Sequence, residues 1–139
     1  MQTDLTLTVI SRNPALVAKF TAIVHPSTNM DGLQLQPAFY PKPLEGTHHE
    51  LELLGPDWLF ELRGLHIHRA DDDRPFVCYP AAMPTLAEAR RIFSIWAAGT
   101  VLFKEWGIDM NDALKREECG GLTGFLGWVE RVYGITVQA

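Results

Sequence analysis

Two cysteines, Cys78 and Cys119, cannot build a disulfide framework, so a fold stapled by covalent cross-links is excluded. No apolar run approaches the ~20 residues that a membrane-spanning helix needs. The longest candidate, Ile92 to Phe103, is interrupted by Ser94, Gly99 and Thr100 and flanked by charges. Met1-Gln2-Thr3-Asp4 has neither the basic stretch nor the apolar core of a signal peptide. A soluble, cytoplasmic protein with reduced thiols is therefore expected. Basic residues are also scarce: 12 Lys and Arg face 17 Asp and Glu, for a net charge of −5. That field repels nucleic acid and anionic membrane, and Arg90-Arg91 and Lys115-Arg116 lack the interleaved aromatics that stack bases. Direct contact with nucleic acid or membrane is not expected. A glycine-rich phosphate loop, a nucleophile elbow, HExxH and paired CxxC motifs are missing as well, which removes the common enzyme fingerprints.

What is present is enough apolar material for one core. The chain is 47% hydrophobic and 21% charged over 139 residues, a globular composition of single-domain size. One domain, residues 1–139, is expected. Leu5, Leu7 and Val9 alternate with Thr6 and Thr8, the period-two signature of a strand. Asn13 and Pro14 suit the start of a helix reaching Val24, with Leu16, Phe20, Ile23 and Val24 on one face and Pro26 as its stop. Residues 27–46 hold Pro37, Pro41, Pro43 and an Asp31-Gly32 turn, and read as a long loop.

Residues 47–80 read as a three-stranded meander. Leu51 and Leu53 share a face with Phe60 and Leu62, and Glu50 lies across from Arg63, with a bulge at Gly64. Thr85-Leu86-Ala87-Glu88 is a capping box opening a long helix that ends at Trp106-Gly107. Asn111 caps a short helix through Glu118, Thr123 caps another that ends at Gly134, and a last strand spans Ile135 to Gln138. This order predicts an α+β fold, a mainly antiparallel sheet with helices on one face, ferredoxin-like with insertions.

The sharpest chemical constellation is His66, His68 and Cys78. A five-residue turn, Ala70 to Arg74, sets His66 opposite Cys78 and offers two imidazoles and a thiolate to one zinc ion. A four-residue turn instead puts Leu65 beside Cys78 and Ile67 beside Phe76, leaving both histidines in solvent. The second register is preferred because it keeps the apolar residues on one face. His48, Glu50 and Glu52 likewise share a strand face and read as a wet outer surface rather than a proton relay. Asp71 to Asp73 read as a solvated turn. Cys119 follows Glu117-Glu118 near a helix C-terminus, where thiolate is disfavoured.

Phe39, Tyr40 and Lys42, set among stiff prolines, have a composition that can present a preordered contact surface, the blander expectation being that Phe39 and Tyr40 cover the sheet; Trp106 closes an almost wholly apolar helix half, expected as core before a partner surface. The favoured function is thus a non-enzymatic acidic interaction protein, an inhibitor or accessory factor, that binds a protein partner through Phe39, Tyr40, Lys42 and Trp106 and needs no cofactor. Self-association through the apolar helix is a related partner class. The alternatives are a small zinc hydrolase using His66, His68 and Cys78, and a small-molecule-binding α+β domain.

Overall fold

A computed structural model describes residues 3–12, 15–28, 47–62, 66–69, 72–78, 83 and 85–138. The strands are β1 (Thr3–Arg12), β2 (Ala15–Thr28), β3 (Thr47–Gly55), β4 (Ile67–Arg69), β5 (Pro75–Val77) and β6 (Ile135–Gln138). The helices are α1 (Leu86–Trp106), α2 (Met110–Leu114) and α3 (Gly121–Tyr133), with 3-10 turns at Asp57–Glu61 and Glu117–Cys119. The strands form one antiparallel sheet in the order β4-β5-β3-β2-β1-β6, and the fold is α+β. Among the described residues no helix is long and apolar enough to cross a membrane.

The glycine stop of α1 acts as the sequence predicts, whereas only the Thr85 half of its capping box forms, Glu88 accepting from Arg91 Nη2 at 2.6 Å instead. Thr85 Oγ1 accepts from Glu88 N at 3.1 Å, and Gly107, at φ +69°, donates to the Phe103 carbonyl at 2.8 Å, a C-terminal cap that a side chain would strain. Strands β1 and β6 also lie where alternation placed them, paired through Val9 with Val137 and Ser11 with Ile135.

Other elements differ from expectation. Residues 15–28 are strand β2, not a helix. Ala18, Phe20, Ala22 and Val24 are buried, whereas Val17 is 68% exposed, a period of two that β-branched Val17, Thr21, Ile23 and Val24 favour. With no helix between β1 and β2, the chain lacks the β-α-β opening of a ferredoxin-like fold. The predicted pairing of β3 with Phe60 and Leu62 is also absent. Leu59 N donates to the Pro56 carbonyl at 3.1 Å and Leu62 N to Leu59 at 3.4 Å, so local bonds consume the donors that a hairpin ladder needs. Arg63 and the Gly64 bulge lie outside the described residues. Asp109, not Asn111, caps α2 by accepting from Asn111 N and Asp112 N. The helix expected through Glu118 stops at Leu114, and α3 starts at Gly121, ahead of Thr123.

The chain divides into two compact units. One comprises Met1–Leu5, Thr21–Leu54 and His66–Phe93; the other comprises Thr6–Phe20, Gly55–Leu65 and Ser94–Ala139. In the first, Ala22, Val24, Leu51, Leu53 and Val77 are buried, as are Ala89, Ile92 and Phe93 of α1. In the second, Phe20 meets Trp96 and Trp58 edge to face, each at 5.8 Å, an arrangement that adds to the burial term. Lys104 Nζ covers Trp58 at 4.7 Å, and Ser11 Oγ donates to Glu105 Oε2 at 2.7 Å.

Two glycines of α3 give opposite tests of this packing. A Cβ at Gly124 collides with the Cys119 carbonyl oxygen, which is backbone and cannot swing aside, whereas at Gly127 it meets only the far end of Arg131, at 3.2 Å. Urea unfolding is expected to show Gly124→Ala losing about 1–3 kcal/mol. Gly127→Ala is expected to be neutral or to gain up to about 1 kcal/mol of helix propensity.

Candidate functional site

The first unit concentrates titratable side chains on one sheet face. Along β3, Leu51 and Leu53 point one way, so Glu50 and Glu52 point the other. Glu52 pairs with Phe76 of β5, and Phe76 with His68 of β4. On the far side, His25 Nε2 of β2 lies 2.8 Å from Glu52 Oε1, and its ring centroid is 6.0 Å from that of Phe76. A row thus runs His68–Phe76–Glu52–His25 across four strands. Arg74 adds a cation: its Nη1 is 3.4 Å from Glu52 Oε1, its Nε donates to Asp72 Oδ2 at 2.7 Å, and its guanidinium lies 5.6 Å from the Phe76 ring centre. That contact and a backbone hydrogen bond hold the exposed Asp72 carboxyl below its ordinary range, the backbone bond contributing most.

This face is not the wet surface that the sequence predicts. Glu50 is 1% exposed, Phe76 0% and His68 6%. The side chains of His25 and Glu52 retain only 19% and 14% of their exposure. The register between β4 and β5 also differs from the preferred one. Cys78 N donates to the His66 carbonyl at 2.9 Å and Ile67 pairs with Val77, so His66 stands opposite Cys78, as the five-residue turn requires. Both faces bury apolar side chains here, Val77 on one and Phe76 on the other, so apolar burial does not single out the register with Ile67 beside Phe76.

That register does not assemble the three-ligand set. Among the described residues, no group of three or more His, Cys, Asp or Glu side chains is placed to hold a metal ion, and His66, His68 and Cys78 are all described. The side chain of His48 lies outside the described residues, and Glu52 engages His25. His49 bonds the Met83 carbonyl through Nδ1 at 2.9 Å. Asp71 lies outside the described residues, and Asp73, at φ +70°, shapes the turn. A helical reading of residues 15–24 hides the pairing of His25 with Glu52; with β2 a strand, alternation puts His25 opposite in sense to buried Val24 and on the polar face.

Phe39, Tyr40 and Lys42 lie outside the described residues. Trp106, the fourth predicted contact residue, belongs to the second unit and is 42% exposed. It packs edge to face on Tyr133 at 5.1 Å, and Tyr133 on Trp128 at 5.4 Å. Arg116 Nη1 donates to the Tyr133 hydroxyl at 3.2 Å, and its guanidinium lies 5.8 Å from the Trp128 ring centre. Val132, beside Tyr133 in sequence, is 56% exposed. Sequence reasoning found Trp106 but not Tyr133 or Arg116, which tertiary packing alone brings to it. Comparison with protein-family models, with curated proteins and with solved structures finds no match for this chain.

Burial pushes both thiols, Cys78 and Cys119, above their ordinary value of 9.0. Native protein at pH 7.5 is expected to react with a disulfide reagent at least about tenfold more slowly than protein unfolded in urea. Because the folded values are raised, the thiols stabilise the native state fully below the unfolded value. That stabilisation declines as pH climbs past 9. Denaturation midpoints between pH 8 and 10.5 check the sign.

Proposed function

We propose that this chain is an acidic interaction protein, an inhibitor or accessory factor acting in the cytoplasm, that binds a protein partner through an aromatic surface centred on Trp106. The observation that carries this reading is the half-exposed Trp106 braced by Tyr133, with Arg116 bonded to that same tyrosine. Trp, Tyr and Arg are the residue types that dominate binding energy at protein interfaces. A pre-braced side chain loses little rotamer freedom when a partner covers it. The net charge of −5 favours a partner of basic surface; Phe39, Tyr40 and Lys42, which lie outside the described residues, stay contact residues of this proposal in their own right.

The test begins by placing a photo-crosslinking phenylalanine analogue at position 106 and irradiating cells that make the chain. A discrete protein adduct is expected, lost when Arg116→Glu is added, and absent when the crosslinker stands at Lys19. With the adduct identified and purified, titration calorimetry should show Trp106→Ala weakening binding by about 2 kcal/mol, roughly thirtyfold in Kd. Identical adducts from positions 106 and 19, or full affinity in Trp106→Ala, contradict the proposal.

A further inference from the structure

The polar face of the first unit holds an imidazole in one defined orientation. His25 Nε2 lies 2.8 Å from Glu52 Oε1, and a carboxylate accepts only, so in neutral imidazole Nε2 carries the proton and Nδ1 keeps its lone pair. Among the described residues Nδ1 has no hydrogen-bond partner, and it is not sealed from solvent. The same Glu52 oxygen receives Arg74 Nη1 at 3.4 Å, while Arg74 Nε is taken by Asp72. Nη2 is the guanidinium nitrogen that neither carboxylate engages. One carboxylate oxygen thus anchors two groups with unused capacity, a basic nitrogen and a cationic donor. They lie in partial burial, where electrostatic effects outweigh those on an open surface.

We propose that His25 and Glu52 form a general-base dyad, with His25 as the catalytic residue and Glu52 as the positioning residue, for hydrolysis of a neutral acyl compound. The charge balance selects the substrate class. Glu52 and Asp72 outnumber Arg74 on this ledge, which turns anions away and admits an uncharged ester. In the reaction, His25 Nδ1 takes a proton from water as the water oxygen bonds to the carbonyl carbon. The alkoxy leaving group then departs with the electrons of its C–O bond, leaving the carboxylic acid, and the imidazolium returns its proton to solvent or leaving group. The developing oxyanion is the species to which Arg74 Nη2 is suited. No thiolate is needed, consistent with the raised Cys78 thiol. This proposal is independent of the surface centred on Trp106, which belongs to the other unit.

The experiment uses p-nitrophenyl acetate and the whole chain, following p-nitrophenolate release at pH 7.5. The wild type is expected to exceed an equal concentration of free imidazole, and His25→Gln to lower the rate about a hundredfold. His49→Gln, which removes a different imidazole, is expected to leave it unchanged. Glu52→Gln keeps the side-chain shape, so kcat should fall at least about tenfold with KM unaltered, and Glu52→Asp should recover part of it. Circular dichroism confirms folding of each variant. If His25→Gln does not fold, Glu52→Gln carries the test alone. A wild-type rate no higher than free imidazole, an unchanged rate in folded His25→Gln, or an unchanged kcat in Glu52→Gln overturns the proposal.

Discussion

The chemistry of the first unit depends on one register. With Glu52 opposite Phe76 and Phe76 opposite His68, Glu50 and Glu52 of β3 lie on the face that also receives His25. Because side chains alternate, a slip of one residue would send Glu50 and Glu52 into the apolar layer and bring Leu51 and Leu53 out. The cost is set by the burial of those two leucines, 0% and 2% exposed, at about 1.5–3 kcal/mol for each side chain. Hydrophobic burial on one face therefore fixes the electrostatics on the other.

That second face is unusual in being polar and largely buried at once. A buried carboxylate is costly unless it is paired, and Glu52 meets the requirement with two partners on one oxygen, an imidazole and a guanidinium. Arg74 is itself shared between Glu52 and Asp72 and rests on Phe76, so its planar fork is held from three sides. The result is a set of side chains with few alternative rotamers, the condition for presenting unused donors and acceptors in a constant direction. The second unit reaches rigidity by aromatic stacking instead. Trp106, Tyr133 and Trp128 form a continuous edge-to-face series, and the indole of Trp106 at one end of it is 42% exposed.

The sequence disclosed those parts of the fold whose signals are local. The Thr85 cap, the Gly107 and Gly134 stops and the alternation of β1 each depend on a few neighbouring residues and one backbone conformation. Strand β2 was hidden because both of its faces carry apolar residues: Val17 and Ile23 on one, Ala18, Phe20 and Val24 on the other. That blurs the period of two until Leu16, Phe20, Ile23 and Val24 mimic a helical stripe. The turn at Asp57–Glu61 competes with a hairpin through short-range bonds that composition does not reveal. At the candidate site, the sequence showed Glu50 and Glu52 sharing a face and His66 standing across from Cys78 in one of two registers. It preferred the other register by assuming a single buried face. His25 was beyond reach, because its meeting with Glu52 joins residues 27 positions apart and follows only after β2 is known to be a strand.

The arrangement rests on Glu52 holding the His25 ring in one tautomer, and the most direct measurement is a long-range nitrogen–proton correlation spectrum of uniformly 15N-labelled protein above the titration range of its histidines. The expected result is a His25 signal with a protonated Nε2 and an unprotonated Nδ1, which redistributes toward the mixture of tautomers in free imidazole in Glu52→Ala. A His25 ring protonated at Nδ1, or one whose tautomer ignores Glu52→Ala, would contradict the register, the pairing and the chemistry drawn from them.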